Sequence, residues 1–151
     1  MKHPDHTAWK NDLLQYSLLL HEMLQDSLQP LCRSHGLTLQ QFRLLSAAEH
    51  QPNQTVGDLS ASTGILRTNM AAISRQLEMR GFLRRVRDCV DHRRITLALT
   101  DLGRSTLHQI ESEFRHRYQA IFDAEPRETF DAIQVGMDAL RRFSRKLEGA
   151  K

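Results

Sequence analysis

The apolar positions along the chain change their period twice, and those changes divide it. From Trp9 onward, Trp9, Leu13, Leu20, Leu24, Leu28 and Leu31 fall on one helical stripe, with Leu14 and Leu18 on a second. Two stripes on one long helix call for two covering surfaces, one of them on another subunit. A loose tail is expected over residues 1 to about 6, and Pro30 should kink or end the helix near Gln29. The chain turns at Gly36. Thr38-Leu39-Gln40-Gln41 then has the form of a capping box, with Gln41 reaching back to Thr38, and opens a helix to about His50 that buries Phe42, Leu45 and Ala48.

After a loop at Gln51-Pro52-Asn53-Gln54, Thr55 caps a short helix, Val56 to Thr63, with Asp58 in its first turn. Gly64 permits a sharp reversal into a second helix, from about Arg67 to Arg80, which Gly81 ends. Met70, Ile73 and Leu77 form its apolar stripe, whereas Thr68, Ala71, Ala72, Arg75 and Met79 lie on the other side. The period then drops to two. Phe82, Leu83 and Val86 begin one strand, and Ile95, Leu97 and Leu99 alternate with Thr96, Ala98 and Thr100 in another, giving a hairpin with a basic tip. Thr100 should cap a long helix to about Phe122, carrying Leu102, Leu107, Ile110, Phe114 and Ile121. Ala124-Glu125-Pro126 breaks it, with Pro126 at the first position of a last helix that buries Phe130, Ile133, Met137, Leu140 and Leu147 and ends near Gly149. The expected fold is mainly α with a small β-hairpin.

Charge sharpens this picture. Arg67, Arg75, Arg80, Arg84, Arg85, Arg87, Arg93 and Arg94 face only Glu78, Asp88 and Asp91 within residues 67–94, an excess of five positive charges in a chain whose net charge is +3. The remainder is slightly acidic. Arginine concentrated in this way suits phosphate contact and minor-groove insertion. The small, polar outward face of the second short helix allows close approach to something large, such as a DNA major groove about 12 Å wide.

Leu59, Gly64-Ile65, Leu77-Glu78, Arg80-Gly81, Asp91-His92-Arg93 and Leu99-Thr100 with Gly103 resemble the winged helix-turn-helix of the MarR family of bacterial transcriptional regulators. Leu66 stands where the family pattern has a Ser or Thr cap, and Ala72 where a longer polar residue is common. The resemblance implies a winged helix-turn-helix core at 34–100, flanked by dimerisation helices at 1–33 and 101–151, and a homodimer whose two recognition helices sit about one DNA turn apart on a pseudo-palindromic operator. Thr68, Asn69 and Arg75 would read base edges, Arg67 and Arg94 contact phosphate, and Arg93 enter the minor groove while Asp91 holds it. Such regulators take small aromatic acids or other lipophilic compounds between the dimer arms and the DNA-binding lobe, and repression is relieved. Leu31, His35, Phe42, Arg43, Leu107 and Phe114 are the candidate lining, with Arg43 or His35 as polar anchor.

Size and composition limit the alternatives. At 151 residues, 40% hydrophobic and 26% charged, the chain is one globular domain or a small domain with an oligomerisation arm. Neither an apolar leader nor an apolar run of membrane-spanning length is seen, so a cytoplasmic location is expected. No phosphate loop, nucleophile elbow or carboxylate pair suggests an enzyme, and no cofactor is expected. No two of the eight histidines have the spacing that puts a metal pair on one helix face. The rival readings are a redox-responsive regulator acting through Cys89 or Cys32, a zinc-responsive one using Glu22, Cys32 and His35, and a winged-helix module that docks an acidic protein.

Overall fold

A computed structural model describes residues 5–149. In chain order it contains α1 (His6–Ser34), α2 (Leu39–His50), α3 (Val56–Thr63), α4 (Arg67–Met79), β1 (Leu83–Arg87), β2 (Ile95–Leu99), α5 (Asp101–Ala124) and α6 (Arg127–Glu148). Two compact units meet at Phe114/Arg115, inside α5. The first helix begins earlier than expected. Asp5 caps α1 by accepting from the Thr7 N–H at 2.9 Å, so the helix starts at His6, while residues 1–4 lie outside the described residues.

Local signals set most boundaries. Thr38 and Gln41 close the expected capping box, and Thr55 and Asp58 close a second one that starts α3. Gly64 and Gly81 both sit at positive φ, where a side chain would be strained, and end α3 and α4. Pro30 does not end α1, which continues through it to Ser34. Proline removes its own N–H, but Leu31 and Cys32 beyond it are buried in the core and hold that last turn in helical register. Pro126 is the residue before α6, not its first position.

The first unit has one core. Leu31 and Cys32 of α1, Leu44 and Leu45 of α2, Leu59 of α3, and Met70 and Leu77 of α4 meet Leu83, Leu97 and Leu99 of the hairpin and Leu107 and Ile110 of α5. The strands pair antiparallel with Leu83 opposite Leu99 and Arg87 opposite Ile95. Their alternation is less regular than the sequence suggests: Ile95 is exposed, whereas Thr96 is buried and donates its hydroxyl to the Val86 carbonyl at 3.3 Å. In the second unit Phe122 stacks on Phe130 with centroids 5.6 Å apart. The expected burial of Ile133, Met137, Leu140 and Leu147 does not occur, since no residue of α6 is buried by its own chain. The apolar row is present, and among the described residues it stays largely exposed. On α1, Leu14, Leu18, Leu19, Leu20 and Met23 are exposed as well.

The Leu-Thr-x-x-Gly signature has a packing cause. Thr100 donates its hydroxyl to the Gly81 carbonyl and accepts from the Gly103 N–H at 3.1 Å, which starts α5 directly against the entry to β1. A Cβ at Gly103 would overlap the Phe82 carbonyl oxygen, a backbone atom that cannot rotate away. Gly103→Ala should therefore cost about 1–3 kcal/mol of stability, the range of an overpacked core site, read from the shift of the denaturant midpoint. A change below about 0.5 kcal/mol, ordinary for a surface site, would show that the helix and hairpin are free to move apart.

Candidate nucleic-acid interface

The interface is built on the α3–turn–α4 unit. Asp58 accepts from the Thr55 N–H at 2.9 Å, and the Thr55 hydroxyl accepts from the Asp58 N–H at 3.2 Å. Hydrogen bonds from the Thr55 backbone and hydroxyl, with a smaller contribution from Arg94, hold the Asp58 carboxyl below the usual carboxylate value. In the turn, Ser60 donates to the Ile65 carbonyl at 2.6 Å. Arg43 donates to the Thr63 carbonyl at 2.6 Å, closing the C-terminal end of α3. α4 then begins at Leu66 without any side-chain cap, and Leu66 itself is exposed.

The buried face of α4 is the expected stripe of Met70, Ile73 and Leu77, joined by Ser74, which donates to the Ala71 carbonyl. Arg67, Thr68, Asn69 and Arg75 are all exposed, as the base-reading and phosphate roles require. The outward face is not flat. Thr68, Ala72, Arg75, Gln76 and Met79 enclose a shallow notch of about 250 Å³. The small side chain of Ala72 creates it, because its neighbours one turn either way are longer.

The tip of the hairpin is held by two carboxylates, in a way the sequence reading did not anticipate. Asp91 does not grip the Arg93 guanidinium; its oxygen accepts from the Arg93 backbone N–H at 3.0 Å. A short polar side chain at this point of a tight turn reaches the main chain two residues on more easily than it reaches a long flexible head group. Asp88 accepts in the same manner from Val90 at 2.8 Å and Asp91 at 3.2 Å, and those bonds keep its carboxyl below the usual value. Arg93 is thereby exposed on a fixed backbone.

Arginines of the cluster have different partners. Arg94 donates to the Asn53 carbonyl at 3.0 Å and lies 3.8 Å from the Asp58 carboxylate, strapping the hairpin to the start of α3. Arg80 donates to the Gly36 carbonyl at 2.9 Å and covers the Phe82 ring at 4.9 Å. Arg85 pairs with Glu78 at 2.9 Å. Arg84 and Arg87, which the sequence reading counted but gave no role, are exposed on β1 and extend the cationic surface.

The six candidate ligand residues separate into three groups. Leu31 and Leu107 belong to the core, and Phe114 packs against its edge. His35 is taken up by Glu113, with Nε2 to carboxylate oxygen at 2.8 Å. Phe42 and Arg43 line a groove of about 430 Å³ together with Leu24, Leu28, Leu39 and His50 among others. The additional α2 residues could have been found from their spacing, since 39, 42, 43, 46, 47 and 50 recur on one helix face. Cys32 is fully buried, and burial pushes its thiol up to about 11, so it stays protonated, while Cys89 is exposed on the hairpin tip. Among the described residues no three His, Cys, Asp or Glu side chains gather as a metal site, so Glu22, Cys32 and His35 do not converge.

Comparison with known proteins agrees with this geometry. The profile of the MarR family matches residues 37–95. The homoprotocatechuate degradative operon repressor of Escherichia coli is 26% identical over 112 residues, covering 74% of this chain and 76% of that protein. The HTH-type transcriptional regulator FarR of Neisseria gonorrhoeae is 30% identical over 107 residues, covering 71% and 73%. The crystal structure of NadR in complex with 4-hydroxyphenylacetate superposes with a TM-score of 0.77 at 24% identity, covering 89% of this chain and 98% of NadR. Among the described residues no helix is long and apolar enough to cross a membrane. With a capped helix-turn-helix, an arginine-bearing wing strapped to it and these relatives, the chain belongs to the MarR family of DNA-binding transcription regulators, which are not enzymes.

Proposed function

We propose that this regulator is a cytoplasmic homodimeric repressor of a pseudo-palindromic operator, released by a small aromatic acid. The observation that carries the reading is the exposed face of α4, small in the middle and flanked by Arg67 and Arg75, beside a wing that presents Arg93 on a fixed turn. Thr68, Asn69 and Arg75 read base edges, Asn suiting adenine and Arg suiting guanine. Arg67 contacts phosphate. Arg94 gives one N–H to Asn53 and keeps the others of its five donors for a phosphate beside the wing. Arg93 enters the minor groove, and a second copy covers the open apolar rows of α1 and α6.

The effector reading rests on the groove beside α2. Its volume falls within the range of small-molecule sites, its walls include Leu24, Leu28 and Phe42, and Arg43 is its cation. The E. coli relative is named for an aromatic-acid degradative operon, and NadR was solved with an aromatic acid. Arg43 already donates to the last carbonyl of α3, so a carboxylate that draws it away uncaps the helix preceding the recognition helix. Binding and DNA release are then coupled through one guanidinium. Leu31, Leu107 and Phe114 belong to the core or its edge and His35 pairs with Glu113, so of the six candidates Phe42 and Arg43 are the ones that line this groove.

Selection of bound duplexes from a random pool tests DNA recognition; a protein that selects none is instead a docking module. On the selected site, Arg75→Ala should cost about 1–3 kcal/mol while leaving random-sequence binding intact, whereas Arg93→Ala should weaken both and flatten the salt dependence. Equal losses on both DNAs from Arg75→Ala would remove it from base reading. Sedimentation at micromolar concentration should report about 35 kDa, twice the 17.5 kDa chain; a 17.5 kDa species would falsify the dimer. Titration of 4-hydroxyphenylacetate-like acids into the complex should release DNA from the native protein, and Arg43→Gln should raise the concentration needed by roughly tenfold or more, the loss expected for an unpaired carboxylate. Unchanged release by Arg43→Gln would place the anion elsewhere.

A further inference from the structure

The notch on α4 is lined by a glutamine whose orientation is fixed from behind. Gln41 is buried, and its side-chain oxygen accepts from the Thr38 N–H at 3.0 Å to close the α2 capping box. The oxygen being committed there, its Nε2 is the group turned toward α4, and it donates to the Gln76 side-chain oxygen at 3.3 Å. Gln76 is consequently held through its oxygen and offers its N–H groups to the notch. The floor is the Ala72 methyl, and one wall is the thioether of Met79, a large apolar side chain 82% exposed.

From these observations we infer that the notch reads a thymine in the major groove, with Gln76 donating to O4 and the C5-methyl seated on Ala72 against Met79. This rests on the DNA-binding reading and adds three specificity-determining residues to it. Thymine alone presents an acceptor next to a methyl group at that edge. Cytosine presents an amino donor, which opposes the Gln76 N–H groups. Adenine requires a glutamine to accept and donate together at one edge, whereas the hydrogen bond from Gln41 draws the Gln76 oxygen toward α2 and leaves the N–H side for the notch. Guanine offers acceptors but leaves the apolar floor empty.

The test uses the full-length protein and the half-site it selects from a random pool. Replacing thymines one at a time with deoxyuridine, which removes only the methyl, should weaken binding roughly fourfold at one position, the worth of one buried methyl. At that position 5-methyldeoxycytidine, which keeps the methyl and reverses the hydrogen bond, should bind worse still. Ala72→Gly removes the floor and should bring the thymine-to-deoxyuridine ratio toward one. Gln41→Glu keeps the capping box, in which glutamate is equally suited, but its second oxygen now accepts from Gln76 and turns that amide over. The preferred base should then change from thymine to one with an amino donor, cytosine or adenine. A half-site with no methyl-sensitive thymine, or a base preference unmoved by Gln41→Glu in a folded variant, overturns the inference while leaving DNA binding in place. Failure to select any sequence overturns both.

Discussion

A two-stranded hairpin on its own is marginal in water, and the DNA-binding unit of this protein depends on how that hairpin is tied down. Leu83, Leu97 and Leu99 root it in the core. Thr100 and Gly103 fasten its far end to α5 where no Cβ fits, and Arg94 ties its outer end to the Asn53 carbonyl beside the α3 cap. The turn is pinned separately, by Asp88 and Asp91 acting on backbone N–H groups. Every cation that the wing presents therefore stands on a backbone whose ends and tip are fixed by short-range bonds.

Much of this was legible because it is local. Thr38 with Gln41 and Thr55 with Asp58 are three residues apart, so the capping boxes could be written down from spacing, as could the turn at Gly64 and the stripe of Met70, Ile73 and Leu77. What escaped depends on distant partners. Pro30 reads as a helix breaker until Leu31 and Cys32 are known to be buried beyond it. Nor does sequence reveal that the Arg94 guanidinium also rests against the Asn53 carbonyl, 41 positions earlier. Asp91 and Arg93 were joined by the correct residues but the wrong atoms, since sequence does not distinguish a carboxylate that binds a head group from one that binds a main-chain N–H. Of the ligand candidates, spacing does not tell which side of each helix meets the core: Leu31 and Leu107 lie wholly within it, whereas Phe42 belongs to it and also lines the groove with Arg43.

The two units also differ in what holds them. The first has a closed core of side chains from five helices and the hairpin. The second contributes a stacked Phe122–Phe130 pair and a helix, α6, whose apolar row is largely exposed among the described residues. Hydrophobic burial is the dominant favourable term in folding, so a helix of this kind gains most of its order from association. Sequence periodicity identified the row correctly and could not say whose surface completes it.

Leu66 leaves the start of α4 without a side-chain cap. A Ser or Thr there would satisfy a first-turn N–H of α4 within the chain and add about 1 kcal/mol to its folding. With leucine in its place, the free protein leaves those N–H groups to water, and the first turn of the helix that meets DNA is the least self-sufficient in the unit. A phosphate oxygen is an acceptor of the kind those N–H groups lack, and every duplex carries one whatever its sequence, so an uncapped first turn favours close approach to the backbone without choosing among bases.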